Sequence, residues 1–373
     1  MSAPDLPEAL LGAPGPILAD ARPVDLLYFV LSVGDGDCQL LLAPEHAAGK
    51  RRVIVVDVAS SAKMFALLDA LVALGVLGGD AALDLVVATH PHDDHIGGMA
   101  TLLRKYAGRV TEFWDPGYWH TTGGYHSMMQ AIEDDEAIRY VQPSSGTSVW
   151  LGNVRVTALA PGISLRSRFD SYGIELNDSS IAMKLDFPAS RVVQRDKDRA
   201  YIKPESEQSL VLGADAQTLS WAQVMVDFPQ LGPTQTAVTK ALQMANGTAE
   251  LKAAVLKVPH HASKHGVNLE LMEQIGPSVS VVSCGRQLGK YNFPHAVAQE
   301  IMREAIEKVA SDPTLVRSPD EKLGIHYTGS NLDSGKPAGS VGLILRPEGT
   351  RRLYRFCEPS DSPIDLGAAR RVG

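Results

Sequence analysis

Cysteine, long apolar runs and net positive charge are scarce in this 373-residue sequence. Its three cysteines, Cys38, Cys284 and Cys357, are an odd number and lie far apart, which excludes a disulfide framework and suits a reducing compartment. Cys38 and Cys284 stand in apolar runs and are interpreted as packing residues. No run of about 18 apolar residues is present, so the sequence predicts no membrane-spanning helix.

Export signals are also missing. Residues 1–23 are rich in Ala, Pro and Leu, but they have neither the basic start nor the small-residue cleavage site of a signal peptide. We therefore expect a cytoplasmic protein with an N-terminal arm over residues 1–23. A composition of 45% hydrophobic and 21% charged residues is typical of a globular protein, and residues 24–373 are expected to form a single domain.

A formal net charge of −8 argues against a protein coated in basic surface for non-specific binding of duplex DNA. One strongly basic stretch, residues 191–203 (RVVQRDKDRAYIK), stands out against this acidic background. It is interpreted either as a local groove for nucleic acid or as a solvated loop.

Apolar strand-like runs alternate with helical patterns along the chain, which indicates α/β layers. Insertions into the domain are expected around residues 111–150, 187–208 and 216–250. Strands are predicted at residues 26–33, 39–42, 53–58, 83–88, 154–159, 181–186, 209–212, 253–258, 279–283, 339–346 and 351–356, and helices at 62–74, 97–106, 269–275 and 296–309.

Residues 89–98 (THPHDDHIGG) concentrate histidine and aspartate just past a predicted buried strand. Imidazole and carboxylate are the usual ligands of zinc and similar ions. Side chains at i and i+2 of an extended segment point the same way, so His90 and His92 can converge on one ion. Asp94 and His95 follow the turn and can face a second ion. A histidine-rich surface loop is the alternative, but this spacing is rare by chance.

More candidate ligands follow later strands. Asp215 ends an apolar run, where it can bridge two cations or cap a helix. His260 and His261 follow another apolar run, and the sequence does not decide which of the two faces inward. Asp57 closes the strand over residues 53–56; a charge there needs a partner, and orienting a ligand histidine is the role we expect.

These residues match the signature of metallo-β-lactamase-fold hydrolases. More narrowly, the sequence resembles the hydrolase domain of ComEC-type competence proteins and their free-standing relatives. The similar motifs occur in order at residues 33–37 (VGDGD), 55–57 (VVD), 177–180 (NDSS), 213–215 (GAD), 256–264 (LKVPHHASK) and 291–295 (YNFPH).

This resemblance implies a four-layer αββα sandwich with two divalent metal ions between the sheets, zinc first and manganese or iron as alternatives. The first ion would be held by His90, His92 and Asp215, and the second by Asp94, His95, Asp215 and His261, with His260 as the alternative to His261. Asp94 and His295 are the catalytic candidates, although His295 equally suits a helix start. Supporting or substrate-contacting roles are expected for Asp37, Asp57, Asn177, Ser180, Ser263 and Lys264.

The sequence departs from the family pattern at three places. Ala214 lengthens Gly-Asp to Gly-Ala-Asp, Asn177 stands near the usual third histidine of the first metal site, and Phe293 replaces a histidine. The membrane channel and nucleic-acid-binding barrel of the competence proteins have no counterpart, so DNA uptake is not implied.

The function expected is hydrolysis by a metal-activated water, with a phosphodiester or nucleic acid as substrate. Two alternatives stay open: a hydrolase of a small ester, amide or thioester, and a non-catalytic protein stabilised by its metal. A segment rich in aromatic residues, His and Gly, residues 113–126, is interpreted as a substrate lid or as ordinary loop packing.

Overall fold

The computed structural model describes residues 15–47, 50–162, 165, 176–196, 199–227, 251–285, 291–306, 318–330 and 337–372, with the backbone alone at 190–196 and 199–207. Strands of the described chain form two sheets. The strands of the first sheet are β1 (Leu26–Val30), β2 (Cys38–Ala47), β3 (Lys50–Val58), β4 (Leu83–Val87), β5 (Val110–Trp114), β6 (Arg139–Val141), β14 (Val341–Leu345), β15 (Arg351–Arg355) and β16 (Arg370–Arg371). Those of the second are β7 (Ser148–Leu151), β8 (Val154–Ala158), β9 (Met183–Asp196), β10 (Arg199–Leu212), β11 (Val255–Lys257), β12 (Val279–Val282) and β13 (Ile325–Tyr327).

Each sheet changes from antiparallel to parallel pairing. In the first, the order is β16-β15-β14-β1-β2-β3-β4-β5-β6, and pairing is parallel from β3 to β6. In the second, the order is β13-β12-β11-β10-β9-β8-β7, and pairing is parallel from β10 to β13. The parallel strands matter for function, because neighbouring parallel strands end at the same edge of a sheet.

Helices lie on the outer faces of the sheets. Those described are α1 (Pro16–Asp20), α2 (Ser61–Ala73), α3 (Asp93–Ile96), α4 (Met99–Lys105), α5 (Gly123–Glu133), α6 (Thr218–Asp227), α7 (Leu269–Ile275), α8 (Ala296–Ala305) and α9 (Pro319–Lys322). Short 3₁₀ turns span Leu176–Ser179, Pro259–Ala262 and Leu366–Ala368. No helix of the described residues is long and apolar enough to cross a membrane.

The period of two along β1 shows how the layers arise. Leu27 and Phe29 pack in a cluster with Met64 of α2 and Leu102 of α4. The alternate residues of β1 belong to a second cluster, between the sheets, with β-strand residues from both. A third cluster, which includes residues of α6, α7 and α8, covers the outer face of the second sheet. The αββα sandwich expected from the resemblance is thereby confirmed.

Several segments differ from the sequence-based expectation. Residues 111–150, expected as an insertion, contribute β5 and β6 to the first sheet, β7 to the second, and α5 to the outer layer. Residues 187–208 extend β9 and β10 into a long hairpin in which Arg199 pairs with Asp196. The basic stretch lies in this hairpin, and its side chains are outside the described residues, as are residues 228–250 of the third expected insertion.

Candidate metal centre

The candidate ligands gather where parallel strands of both sheets end. Asp57 lies near the end of β3, and His90 follows β4, its parallel neighbour. In the second sheet, Asp215 follows β10 and His261 follows the parallel β11. Strand pairing within each sheet and face-to-face packing of the two sheets together bring residues that are more than 200 positions apart in the sequence to one site.

The segment after β4 changes from extended chain to helix inside the histidine cluster. His90 Nε2 and His92 Nδ1 lie 3.0 Å apart. Helix α3 begins at Asp93, so Asp94 and His95 stand on its single turn, and the His95 ring lies beside that of His90, with centroids 4.1 Å apart. His95 is fully buried, whereas the Asp94 side chain is 39% exposed.

Asp215 is the centre of the cluster, since each of its carboxylate oxygens faces imidazole nitrogens. Oδ1 lies 3.2 Å from His95 Nε2 and 3.4 Å from His261 Nε2. Oδ2 lies 3.7 Å from His90 Nε2 and 3.7 Å from His260 Nε2. The preceding residue, Ala214, has a φ of +47°, and its carbonyl accepts a hydrogen bond from the His260 N–H. Ala214, the residue that lengthens Gly-Asp to Gly-Ala-Asp, therefore forms a left-handed turn, and Asp215 still lies at the centre of the histidine cluster.

His260 and His261 both face inward, on different sides of Asp215. Adjacent residues of a regular strand point to opposite faces. Here the two histidines have φ values of +46° and +52° inside the turn after β11, and Ala262 continues with +60°. Left-handed backbone at residues other than glycine is unfavourable by about 1–3 kcal/mol each and is concentrated at functional sites.

Buried partners fix the ring orientation of two histidines. Asp57 Oδ2 accepts from His95 Nδ1 at 2.7 Å and from the Thr89 hydroxyl at 2.7 Å, while Asp57 Oδ1 accepts from the Thr89 N–H at 2.8 Å. His261 Nδ1 donates to the Ser283 carbonyl at 2.9 Å. Both contacts use Nδ1 and leave Nε2 directed at Asp215. Metal-binding histidines are commonly oriented in this way, by a hydrogen bond from the ring nitrogen that does not bind the metal.

The electrostatics of the cluster favour a cation. Burial holds the pKa of His90 well below its usual value, and the charge of His95 adds to this effect. Burial raises the pKa of Asp215, but His95 and His261 together bring that pKa well below the usual range. Burial also lowers the pKa of His260. Burial lowers the pKa of His95, but Asp215 and Asp57 raise that pKa well above its usual value. His90 and His260 are thus held neutral, as metal binding requires, and a metal ion would displace the proton on His95.

The arrangement fits divalent metal ions. His95 Nε2, Asp215 Oδ1 and His261 Nε2 are buried atoms without a hydrogen-bond partner among the described residues. Ligand atoms about 2.0–2.1 Å from a tetrahedral ion lie about 3.3 Å from one another. The separations of 3.2 to 3.7 Å around Asp215, and of 3.0 Å between His90 Nε2 and His92 Nδ1, are close to that spacing. Three sets of described residues could hold an ion: His90 with His95 and Asp215, Asp94 with His95 and His261, and Asp37 with Asp57 and His95.

Other residues singled out from the sequence lie at varied places. Asn177 Nδ2 lies 3.3 Å from His260 Nε2, next to the cluster. Ser180 is buried beside the 3₁₀ turn that contains Asn177, and Ser263 Oγ accepts from the His265 N–H at 3.1 Å. Lys264 is exposed. His295 is the N-cap of α8, where its Nδ1 accepts from the Val297 N–H at 3.3 Å.

Two further residues lie near the cluster: Lys257, which received no role from the sequence, and His120, which belongs to the segment interpreted as a lid or as loop packing. Lys257, fully buried in β11, places Nζ 2.8 Å from Asp37 Oδ1, and Asp37 Oδ1 lies 4.0 Å from His261 Nδ1. A lysine in an apolar strand run needs a buried partner, so that signal was present. His120 places its ring centroid 5.8 Å from that of His92. Nothing in the spacing of His120 indicates this contact, which depends on the loop between β5 and α5.

Comparison with known proteins was consistent with this architecture. Residues 47–193 match the model of the metallo-beta-lactamase superfamily. ComE operon protein 3 of Bacillus subtilis (strain 168) is 24% identical over 235 residues, which cover 63% of this chain and 24% of that protein. The chain therefore spans about a quarter of the length of this curated relative.

Similar solved structures are distant in sequence. The metallo-beta-lactamase fold protein YhfI from Bacillus subtilis has a TM-score of 0.37 at 12% identity, covering 74% of this chain and 93% of that one. A diphosphatase from the PhnP family has a TM-score of 0.34 at 9% identity, covering 82% of this chain and 96% of that one.

Proposed function

Because residues 47–193 match the model of the metallo-beta-lactamase superfamily, we propose that the protein is a metal-dependent hydrolase of phosphodiesters, with nucleic acid as the substrate class. The observation that carries the proposal is the double-sided placement of Asp215. Its two oxygens face separate pairs of imidazoles, as a carboxylate shared by two cations would. Two nearby cations suit a phosphodiester, since they lower the pKa of a water and neutralise phosphoryl charge.

We propose two ligand groups that share Asp215. In this proposal, Asp215 Oδ2 with His90, His92 and His260 would hold the first ion, and Asp215 Oδ1 with Asp94, His95 and His261 the second. His260 then takes the place of the third histidine that the sequence lacks, with Asn177 beside it.

Asp94 is the carboxylate of the centre that water and substrate can reach. Its side chain is 39% exposed, against 3% for that of Asp215. We assign it to the second ion and to positioning the attacking water. Asp57 acts through His95, whose ring it holds. His295 is given no catalytic role here, because its Nδ1 caps α8.

The test combines metal analysis with a substrate panel. The purified protein should contain about two equivalents of zinc, manganese or iron. It should hydrolyse bis(p-nitrophenyl) phosphate and a short oligonucleotide faster than ester, amide or thioester probes. Asp215→Asn should lose this activity, while Asp361→Asn, at an exposed aspartate, should keep it.

Each alternative has its own result. Turnover of esters, amides or thioesters alone would replace the phosphodiester substrate. Bound metal without turnover of any probe would favour a metal-stabilised, non-catalytic protein. Less than about half an equivalent of metal after reconstitution would overturn the metal centre itself.

A further inference from the structure

The exposed aromatic side chains of the described residues lie beside the candidate metal centre. Large hydrophobic side chains that are exposed in the described chain are Val24, Trp119, Leu219, Val226, Tyr291 and Val297. The two aromatic ones are Trp119, which is 66% exposed, and Tyr291, which is 56% exposed. Exposed rings are unfavourable in water, and each of these two is connected to a candidate ligand histidine through a neighbouring ring or residue.

Tyr291 belongs to a ring pair that contacts both histidines of the turn after β11. The Phe293 ring centroid is 5.4 Å from that of His260 and 5.5 Å from that of His261. The Tyr291 ring stacks on Phe293 at 5.8 Å, with an interplanar angle of 25°. Phe293, which replaces a histidine of the family motif, thus links the ligand histidines to an exposed ring.

Trp119 belongs to a second group of rings, at another ligand. It contacts the exposed His126 edge to face, with ring centroids 5.8 Å apart. Its neighbour His120 contacts His92 at 5.8 Å. The aromatic loop expected from the sequence as a lid or as packing therefore places Trp119 in solvent, next to a residue that contacts the centre.

We propose that Tyr291 with Phe293, and Trp119 with His126, are stacking surfaces for nucleobases on either side of the scissile phosphate. This inference rests on the proposed phosphodiesterase function and narrows its substrate to single-stranded nucleic acid. A phosphate held at the centre brings its neighbouring bases to the rings that adjoin the ligands. Aromatic side chains bind unpaired bases by stacking, with little sequence preference.

The charge of the chain points to the same type of recognition. Because the formal net charge is −8, long-range attraction to the backbone phosphates is weak. Stacking acts on the uncharged faces of the bases, and the net charge does not oppose it. A duplex keeps its bases stacked on one another, so it cannot use these rings without local opening.

Two oligomers of equal length and charge separate stacking from phosphate binding. One is a short oligothymidylate, and the other has the same sugar-phosphate backbone with abasic sites. Binding is measured by fluorescence anisotropy on the metal-loaded protein with phosphorothioate versions of both oligomers, which resist hydrolysis, and cleavage is measured separately on the unmodified oligomers. Wild-type protein should bind the oligothymidylate about 5- to 150-fold more tightly for each base that stacks.

Tyr291→Leu and Trp119→Leu should reduce this preference, while Tyr291→Phe and Trp119→Phe should keep most of it, because they retain a ring. Both residues are exposed, and circular dichroism should show an unchanged fold. Equal binding of the two oligomers by wild-type protein would overturn the stacking surfaces, even if phosphodiesters are cleaved. Equal loss on both oligomers in the leucine variants would also contradict them. A base preference without cleavage of any phosphodiester would support the surfaces and refute the proposed reaction.

Discussion

Replacing Lys257 by methionine should destabilise the fold strongly, because it leaves Asp37 as a buried charge without its ion-pair partner. Both side chains are fully buried, and Lys257 Nζ lies 2.8 Å and 2.9 Å from the two oxygens of Asp37. Gln39 Nε2 donates to Asp37 Oδ2 at a longer 3.4 Å, and Tyr28 donates to Gln39 at 2.6 Å. A neutral amide cannot replace the ammonium charge.

The expected loss is about 3–5 kcal/mol, the usual effect of removing one partner of a buried pair. A domain is stable by about 5–15 kcal/mol in total, so the variant should be close to unfolding. The double variant Asp37→Leu/Lys257→Met removes both charges and should recover most of the loss. Lys105→Met is a matched control, because its partner Asp69 is 64% exposed, and it should change stability by less than about 1 kcal/mol.

Urea unfolding monitored by circular dichroism measures all four proteins. Two results would refute the reasoning: a Lys257→Met variant within about 1 kcal/mol of wild type, or a double variant no more stable than the single one. Because Asp37 Oδ1 also lies 4.0 Å from His261 Nδ1, metal content should be compared at the same time.

Three further predictions concern the centre itself. Asp94→Ala should abolish hydrolysis with an unchanged circular dichroism spectrum, since the side chain is partly exposed; wild-type turnover at unchanged metal content would contradict its assignment. Asp57→Asn should weaken metal affinity about 10- to 100-fold, because it disturbs the contact with His95 Nδ1. Competition with a chromogenic chelator measures the affinity, and an unchanged value would rule out that Asp57 orients His95. A chelator should lower the Tm measured by calorimetry, and adding zinc should restore it, because an ion at a free concentration of about 100 times its Kd stabilises the folded state by about 2.7 kcal/mol. An unchanged Tm would mean that the ions do not bind preferentially to the folded chain.

The layered fold could be predicted from the sequence because its main signals are local. The apolar run before His90 and the run before Asp215 contain strands that pack between the layers, so their period and their ends were readable. The hairpin of β9 and β10 was not predicted beyond residues 186 and 209, since its extension includes the charged stretch at 191–203. Backbone pairing holds that hairpin, and backbone pairing leaves little trace in composition.

Which of the two adjacent histidines faces the centre was harder to predict, because the answer depends on the backbone conformation. Sequence reasoning assumes that adjacent residues alternate in direction, and it therefore treated His260 and His261 as alternatives. The left-handed backbone at both positions turns both rings toward Asp215. Residues 111–150 were expected as an insertion, but they contribute strands to both sheets, and no strand was predicted between residues 88 and 154.

The position of β1 within the first sheet has a consequence for synthesis of the chain. Residues Leu26 to Val30 pair on one side with β2, but their other neighbour is β14, about 300 residues later. At about 5–20 residues per second, β1 waits about 15–60 s for this partner to leave the ribosome. During that time a fully apolar strand has an unpaired edge, which is a template for association between nascent chains. A chaperone that covers this edge during synthesis should therefore raise the yield of folded protein.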